Sequence, residues 1–282
     1  MEHLRVLTVQ DLSCVGQCSL TAALPVLSVC GLEAAALPTA VLSTHTGGAF
    51  ASSGYTFRDL TEDIPDIAAH WAREHIRFAA VQTGYLGSAR QAELVRRVMD
   101  TALLPGGLRI VDPAMADSGK LYVGLGADMV HAMAQLAFSS DVLLPNLTEA
   151  ALLTDLPYQP DGGADYGRTL LEALRARGAR TVVLTGVRFA ENRTGTLVLE
   201  GERVTEYRHA RVMRVCHGTG DLFTAAFTGA YLTGHGAAEA ARIAAEFVLA
   251  SIRATEDDPA HWYGVHFEGQ LGRLLELLKK QR

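Results

Sequence analysis

No apolar run in this 282-residue chain approaches the roughly 20 residues that a membrane helix needs, so a membrane-spanning protein is not expected. The opening Met1-Glu2-His3-Leu4-Arg5-Val6-Leu7-Thr8-Val9 lacks a long apolar core and a small-residue cleavage site. It reads as a first β-strand rather than a signal peptide, and a cytoplasmic protein is the expectation. Positive charge is also in deficit: 25 Lys and Arg stand against 31 Asp and Glu, for a net charge of −6. That balance argues against broad nucleic-acid binding. It leaves room for an anionic ligand, because a local nest of N–H groups can outvote the global field. Cysteine is scarce, with only Cys14, Cys18, Cys30 and Cys216. No His/Cys cluster with zinc spacing accompanies them, which fits semi-buried thiols in a reducing compartment. Cys216, beside a Gly turn, is either another such thiol or a reactive one. No low-complexity linker or internal repeat divides the sequence, so residues 1–282 are expected to form one domain. With 49% hydrophobic residues it can bury a sizeable core.

What is present is an alternation of short apolar runs with longer helical patterns. Strands are expected over 5–9, 34–42, 78–83, 108–112, 141–144 and 181–185. Helices are expected over 19–30, 64–75, 89–103, 128–138, 148–154 and 166–177. This order implies βαβ units, hence an α/β fold with a mainly parallel central sheet and helices on both faces. After residue 185 the pattern changes. Runs 195–200 and 202–208 flank Gly201 as a hairpin, and 211–215 reads as a further short strand. Helices should follow over 221–232, 237–255 and 268–280. Two loops stand out: 44–55, rich in Gly, Ser and Thr, suits a mobile cover, and 157–165 suits a surface connection.

Ligands of open α/β sheets bind outside the carboxyl ends of the strands. That rule selects Gln10 and Asp11, His45 and Thr46, Gly84 and Tyr85, Asp112, Asn146 and Glu149, and Thr185 and Gly186. It also selects the turn after the 211–215 run. There the chain reads Val215-Cys216-His217-Gly218-Thr219-Gly220-Asp221-Leu222-Phe223-Thr224-Ala225-Ala226-Phe227. Gly218 and Gly220 permit close backbone approach, and the following helix N-terminus offers N–H groups to anionic oxygens. Asp221, a carboxylate in that first turn, suits a general base for phosphoryl transfer. The plainer reading is a helix after a Gly turn, with Asp221 complementing its dipole.

Gly-Thr-Gly-Asp followed by an apolar helix resembles the C-terminal signature of the ribokinase-like superfamily of small-molecule kinases. Further segments resemble one branch, the pyridoxal/pyridoxamine (vitamin B6) kinases. They are Gln10-Asp11, Leu42-Ser43-Thr44-His45-Thr46-Gly47, Thr83-Gly84-Tyr85-Leu86-Gly87-Ser88, Val111-Asp112-Pro113-Ala114-Met115-Ala116-Asp117 and Leu144-Pro145-Asn146-Leu147-Thr148-Glu149-Ala150. They stand in the family's order and at its spacing over nearly the whole chain.

The resemblance implies a three-layer ribokinase-like fold and ATP-dependent phosphorylation of the 5′-hydroxymethyl group of pyridoxal, pyridoxamine or pyridoxine. By the same resemblance Asp221 takes the hydroxyl proton, while Gly218, Thr219 and Gly220 hold the transferring group. Asp11, His45, Thr46, Gly47 and Tyr85 would face the vitamin. Asp112, Tyr122, Asn146, Glu149, Thr185 and Thr219 would face ATP. Asp112, Asp117 and Glu149 would hold Mg²⁺, and a monovalent cation such as K⁺ is compatible. A homodimer is the family's common state; no nucleic-acid or membrane partner is implied. Structural alternatives stay open. Asp112 can be a strand-end cap, Glu149 a first-turn acid, Tyr85 a core tyrosine, Asn146 a turn residue, and Asp11 the cap of a helix starting near Ser13. The chain departs from the pattern at Asp11, where many pyridoxal kinases carry Ser, and at Ala116, which replaces a glycine. Hydroxymethylpyrimidine or hydroxymethylpyrimidine-phosphate kinases are a rival of the same superfamily, but their N-terminal turn is rich in Gly and Ser-Asp. Sugar kinases place a Gly-Gly pair after the first strand, which is missing here. A catalytically silent B6-binding protein is the remaining alternative.

Overall fold

A computed structural model describes residues 4–47, 50, 54–214 and 216–279. Eleven strands form among these residues: β1 (Arg5–Ser13), β2 (Glu33–Leu42), β3 (Phe57–Asp59), β4 (Phe78–Thr83), β5 (Leu103–Val111), β6 (Ala116–Asp117), β7 (Lys120–Leu121), β8 (Val142–Leu143), β9 (Thr181–Ala190), β10 (Arg193–Glu200) and β11 (Arg203–Ala210). Nine form one sheet in the order β11-β10-β9-β8-β5-β4-β1-β2-β3, while β6 and β7 make a separate small hairpin. The pairs from β2 through β9 are parallel. β3 and the β9-β10-β11 meander are antiparallel.

Helices α1 (Leu20–Val29), α2 (Asp63–Arg73), α3 (Ala89–Ala102), α4 (Ala127–Ala137), α5 (Leu147–Thr154), α6 (Gly163–Ala176), α7 (Thr219–Leu232), α8 (Ala237–Thr255) and α9 (Leu271–Lys279) cover the sheet. Adjacent strand residues point to opposite faces. Leu7, Val9, Val81, Val111 and Leu143 therefore join one core with α2 to α6. Val6, Ala80, Ile110, Val142 and Leu144 join another with α1, α7, α8 and α9. The parallel strands are apolar on both sides for this reason, and the result is the expected three-layer α/β architecture.

Several expectations need correction. Residues 211–214 form no strand. The Arg214 guanidinium instead donates to the carbonyls of Thr255, Glu256, Asp258 and His261, tying that stretch to the end of α8. The turn at Gly218 thus follows irregular chain, and residue 215 lies outside the described residues. The C-terminal helix is split into a 3₁₀ turn, Glu268–Gln270, and α9. No helix begins near Ser13: β1 runs through it and α1 starts at Leu20, which removes the capping reading of Asp11. The mobile-cover expectation for 44–55 falls in part on residues 48–49 and 51–53, outside the described residues. Among the described residues no helix is long and apolar enough to cross a membrane.

Candidate active site

β1 lies at the point where the chain reverses direction across the sheet, since β2 is added on one side and β4 on the other. Beyond the carboxyl ends of these strands opens a cavity of about 720 Å³. It is lined by Asp11, His45, Thr46, Gly47, Tyr85, Asp112, Asp117, Tyr122, Asn146, Glu149, Thr185, Gly218, Thr219, Gly220 and Asp221. The carboxyl ends of the strands thus bring together the residues named for catalysis, substrate, nucleotide or metal, whereas Gln10 and Gly84, which the strand-end rule also selected, do not line the cavity.

Gly218 precedes α7 with φ +76, and a Cβ there would lie 2.3 Å from the Gln17 carbonyl oxygen. Only glycine fits this position. Gly220 differs, because a Cβ on it would meet nothing within 4 Å. Among the described residues no side-chain hydrogen bond caps α7, so its first-turn N–H groups are left for a ligand in the cavity. Asp221 sits in that turn and accepts a hydrogen bond from the Ser19 backbone N–H at 2.8 Å. The carboxylate reaches the lumen, yet protein surrounds it. Burial, with smaller contributions from Asp112 and Asp11, pushes its pKa up to about 7.

Two more carboxylates stand nearby. Asp112 follows β5 and accepts from the Thr224 hydroxyl at 2.7 Å. Burial raises its pKa to about 6. Glu149 rises well above the carboxylate range through burial first and then through repulsion from Asp112. It also completes a capping box. The Asn146 side chain accepts from the N–H groups of Thr148 and Glu149, and Glu149 accepts from the Asn146 N–H at 2.8 Å. The first-turn role of Glu149 and its place in the cavity are therefore both realised. Asn146, whose role the sequence left open, is the helix cap and also donates to the Ala116 carbonyl. Asp117 is exposed in the β6-β7 hairpin and accepts from the Ser118 N–H. Thr185, within β9, bridges to Asn146.

On the other side, Asp11 sits where β1 slips register against β2. It is 3% exposed, and its two oxygens accept from the hydroxyls of Ser13 at 2.7 Å and Ser19 at 2.5 Å. Burial outweighs those bonds and raises its pKa. His45 donates from Nε2 to the Tyr263 carbonyl at 2.9 Å and accepts the Gly47 N–H at Nδ1. With both nitrogens engaged, it offers the cavity a ring face. The His217 ring lies 4.8 Å away, and burial holds both imidazoles below their ordinary pKa. The Tyr85 and Tyr122 rings, expected from the resemblance to face the vitamin and ATP respectively, approach to 6.3 Å. Burial pushes the Tyr85 phenol up to about 12. Ala245, Val248, Leu249 and Ile252 of α8 add an apolar wall.

Sequence reasoning passed over Ser19, Thr224 and His217 as site residues. His217 lay within the quoted motif without a role. Ser19 and Thr224 carry no local signal, because their partners are 202 and 112 residues distant.

The phosphomethylpyrimidine kinase family model matches residues 16–265. A pyridoxine/pyridoxal/pyridoxamine kinase of Bordetella bronchiseptica is 32% identical over 259 residues, covering 89% of this chain and 89% of that protein. A candidate phosphomethylpyrimidine kinase of Bacteroides thetaiotaomicron, crystallised with pyridoxal, superposes with a TM-score of 0.91 at 34% identity, covering 97% of this chain and 96% of that one. The pyridoxal kinase of Lactobacillus plantarum gives a TM-score of 0.88 at 33% identity, over 99% of both chains.

Proposed function

This chain belongs to the phosphomethylpyrimidine kinase family, and from that premise we propose that it transfers the γ-phosphoryl group of ATP to the 5′-hydroxymethyl group of B6 vitamers. One observation carries the reading: Asp221 and the uncapped N-terminus of α7 share a single cavity with Asp112 and Glu149. A base, an oxyanion cradle and a carboxylate pair for a cation are what phosphoryl transfer asks of a protein. The names of the relatives favour the vitamin over the pyrimidine, since the Bordetella bronchiseptica relative is a pyridoxine/pyridoxal/pyridoxamine kinase.

Asp221, deprotonated, accepts the hydroxyl proton as the substrate oxygen bonds to the γ-phosphorus and the bond to ADP breaks. The N–H groups at 218–220 receive the charge on the transferring oxygens. The apolar α8 wall suits the base of the nucleotide, and the His45 and Tyr85 rings suit the flat vitamin. Asp11 faces the same end, where a carboxylate accepts a hydrogen bond from a protonated ring nitrogen or amine.

The donor chemistry fits Mg²⁺. Burial raises the proton affinity of both Asp112 and Glu149, and Asp112 raises that of Glu149 further, a state that a hard divalent cation relieves. Asp112 and Glu149 would hold it, with Asp117 at the rim. Bound there, Mg²⁺ offsets the charge of the triphosphate. A homodimer completes this reading on the family resemblance alone.

The test compares pyridoxal, pyridoxamine, pyridoxine and hydroxymethylpyrimidine side by side as ATP-dependent acceptors. The reading expects the highest kcat/KM on a B6 vitamer. A higher value on hydroxymethylpyrimidine would move the chain to pyrimidine phosphorylation.

A further inference from the structure

A second cluster of ligand-bearing side chains lies on the segment that follows α8, outside the residues given to the reaction. We propose that Asp258, His261 and His266 form a site for a borderline transition-metal dication such as Zn²⁺, with Gln17 Oε1 available as a fourth donor. One ligand atom from each of the three side chains lies within 4.8 Å of the others. The two imidazole rings face each other at 3.9 Å. His266 Nε2 lies 3.0 Å from Asp258 Oδ2, and His261 Nε2 lies 2.5 Å from Gln17 Oε1.

Two nitrogens and a carboxylate oxygen select zinc-like ions over Mg²⁺ or Ca²⁺, which take oxygen donors. The backbone already holds the donors in place. The His266 N–H donates to the buried Thr255 hydroxyl at 2.8 Å. The Ala260 N–H donates to Asp258 Oδ1 at 3.1 Å, which turns Oδ2 toward the histidines. Arg214 fixes the carbonyls of Asp258 and His261 from behind. Its positive charge opposes a cation, whereas Asp258 and Glu268, the latter bonded to the Gln17 amide, favour one. Burial, followed by His266, keeps His261 on the neutral side that a metal requires. Metal bonds of about 2.0–2.2 Å would draw the three side chains inward and replace the pairwise hydrogen bonds.

Occupancy has a structural consequence. Gln17 belongs to the turn whose carbonyl meets Gly218, and Tyr263 between the two histidines accepts the His45 N–H. A metal here would staple the 258–266 segment to the 16–19 turn behind the vitamin side of the cavity. The assignment stands whether or not the kinase reading does.

The experiment titrates the full-length, chelator-stripped protein with Zn²⁺ against a chromophoric chelator, in excess Mg²⁺ so that hard carboxylate sites are saturated. Co²⁺ replaces Zn²⁺ in a parallel titration followed by its visible d–d bands. One equivalent should bind, with Co²⁺ bands of a four- or five-coordinate site. His266→Gln, a half-exposed position, should weaken binding by at least about tenfold and abolish the bands; His261→Gln is the second variant. Affinity unchanged in both variants, or no stoichiometric binding to the parent, would overturn the assignment.

Discussion

The backbone N–H of Ser19 points at the Asp221 carboxylate, 2.8 Å away and 202 residues apart in sequence. Ser19 holds this pose at φ +53 and ψ −129, a region that costs a non-glycine residue about 1–3 kcal/mol. The same residue's hydroxyl holds Asp11. One strained residue thereby orients two carboxylates of the cavity, Asp221 and Asp11. The Ser19 N–H also partly counters the burial that raises Asp221.

The pH profile follows from that balance. Asp221 is raised from 3.8 to about 7, and a base acts only when deprotonated. We expect kcat/KM to rise with pH and level off above about 7. A flat profile across neutrality, measured with the chemical step rate-limiting, would count against Asp221 as the titrating group.

Stability should run the other way. The folded state holds the Asp221 proton more tightly than the unfolded state, so its contribution is complete below 3.8 and is lost as pH rises through about 7. Asp221→Asn removes the buried charge. The variant should melt higher than the parent at alkaline pH and lose that advantage in acid, as calorimetry can show. An equal gain at all pH values would point to packing instead.

The two glycines of the turn should separate folding from function. Gly218→Ala places a methyl 2.3 Å from the Gln17 oxygen at φ +76, so stability should fall by more than about 1 kcal/mol. Gly220→Ala meets no atom within 4 Å and should melt like the parent. Its turnover should nevertheless drop, because the proposed cradle brings the γ-phosphoryl group to this position. Normal turnover in Gly220→Ala would remove that position from the cradle.

On the metal side, Glu149→Gln retains the capping-box geometry, since a glutamine oxygen still accepts the Asn146 N–H. It removes the charge and also the second acceptor oxygen, to which the Met115 N–H donates at 3.2 Å. The lost Met115 bond should bring a modest fall in melting temperature, and the Mg²⁺ concentration for half-maximal rate should increase. Asp112→Asn should raise it as well. An unchanged Mg²⁺ dependence in both variants would return the pair to structural roles.

Much of this was legible in the sequence where local pattern and tertiary environment agree. Phe78–Thr83 and Ala237–Thr255 have the expected bounds, since a doubly buried parallel strand and an alanine-rich amphipathic helix both write their period into the chain. The segment 211–214 misled because Val212 and Met213 look strand-like, whereas Met213 is 81% exposed and Arg214 finds its partners beyond α8. The three-residue β3 and the two-residue strands β6 and β7 are too short to show a period. The site residues placed by turn motifs fell into one cavity, but Ser19 and Thr224 act through contacts that only the closed fold creates.

The most direct measurement is single-turnover conversion of pyridoxal and ATP to pyridoxal 5′-phosphate by the parent and by Asp221→Asn, at saturating Mg²⁺ and above pH 7. A positioned general base contributes about 10²–10⁴-fold. The parent should form the phosphate, and the variant should be slower by at least about 100-fold while still binding ATP. Near-parental conversion by the folded variant, or no pyridoxal phosphorylation by the parent, would contradict the assignment.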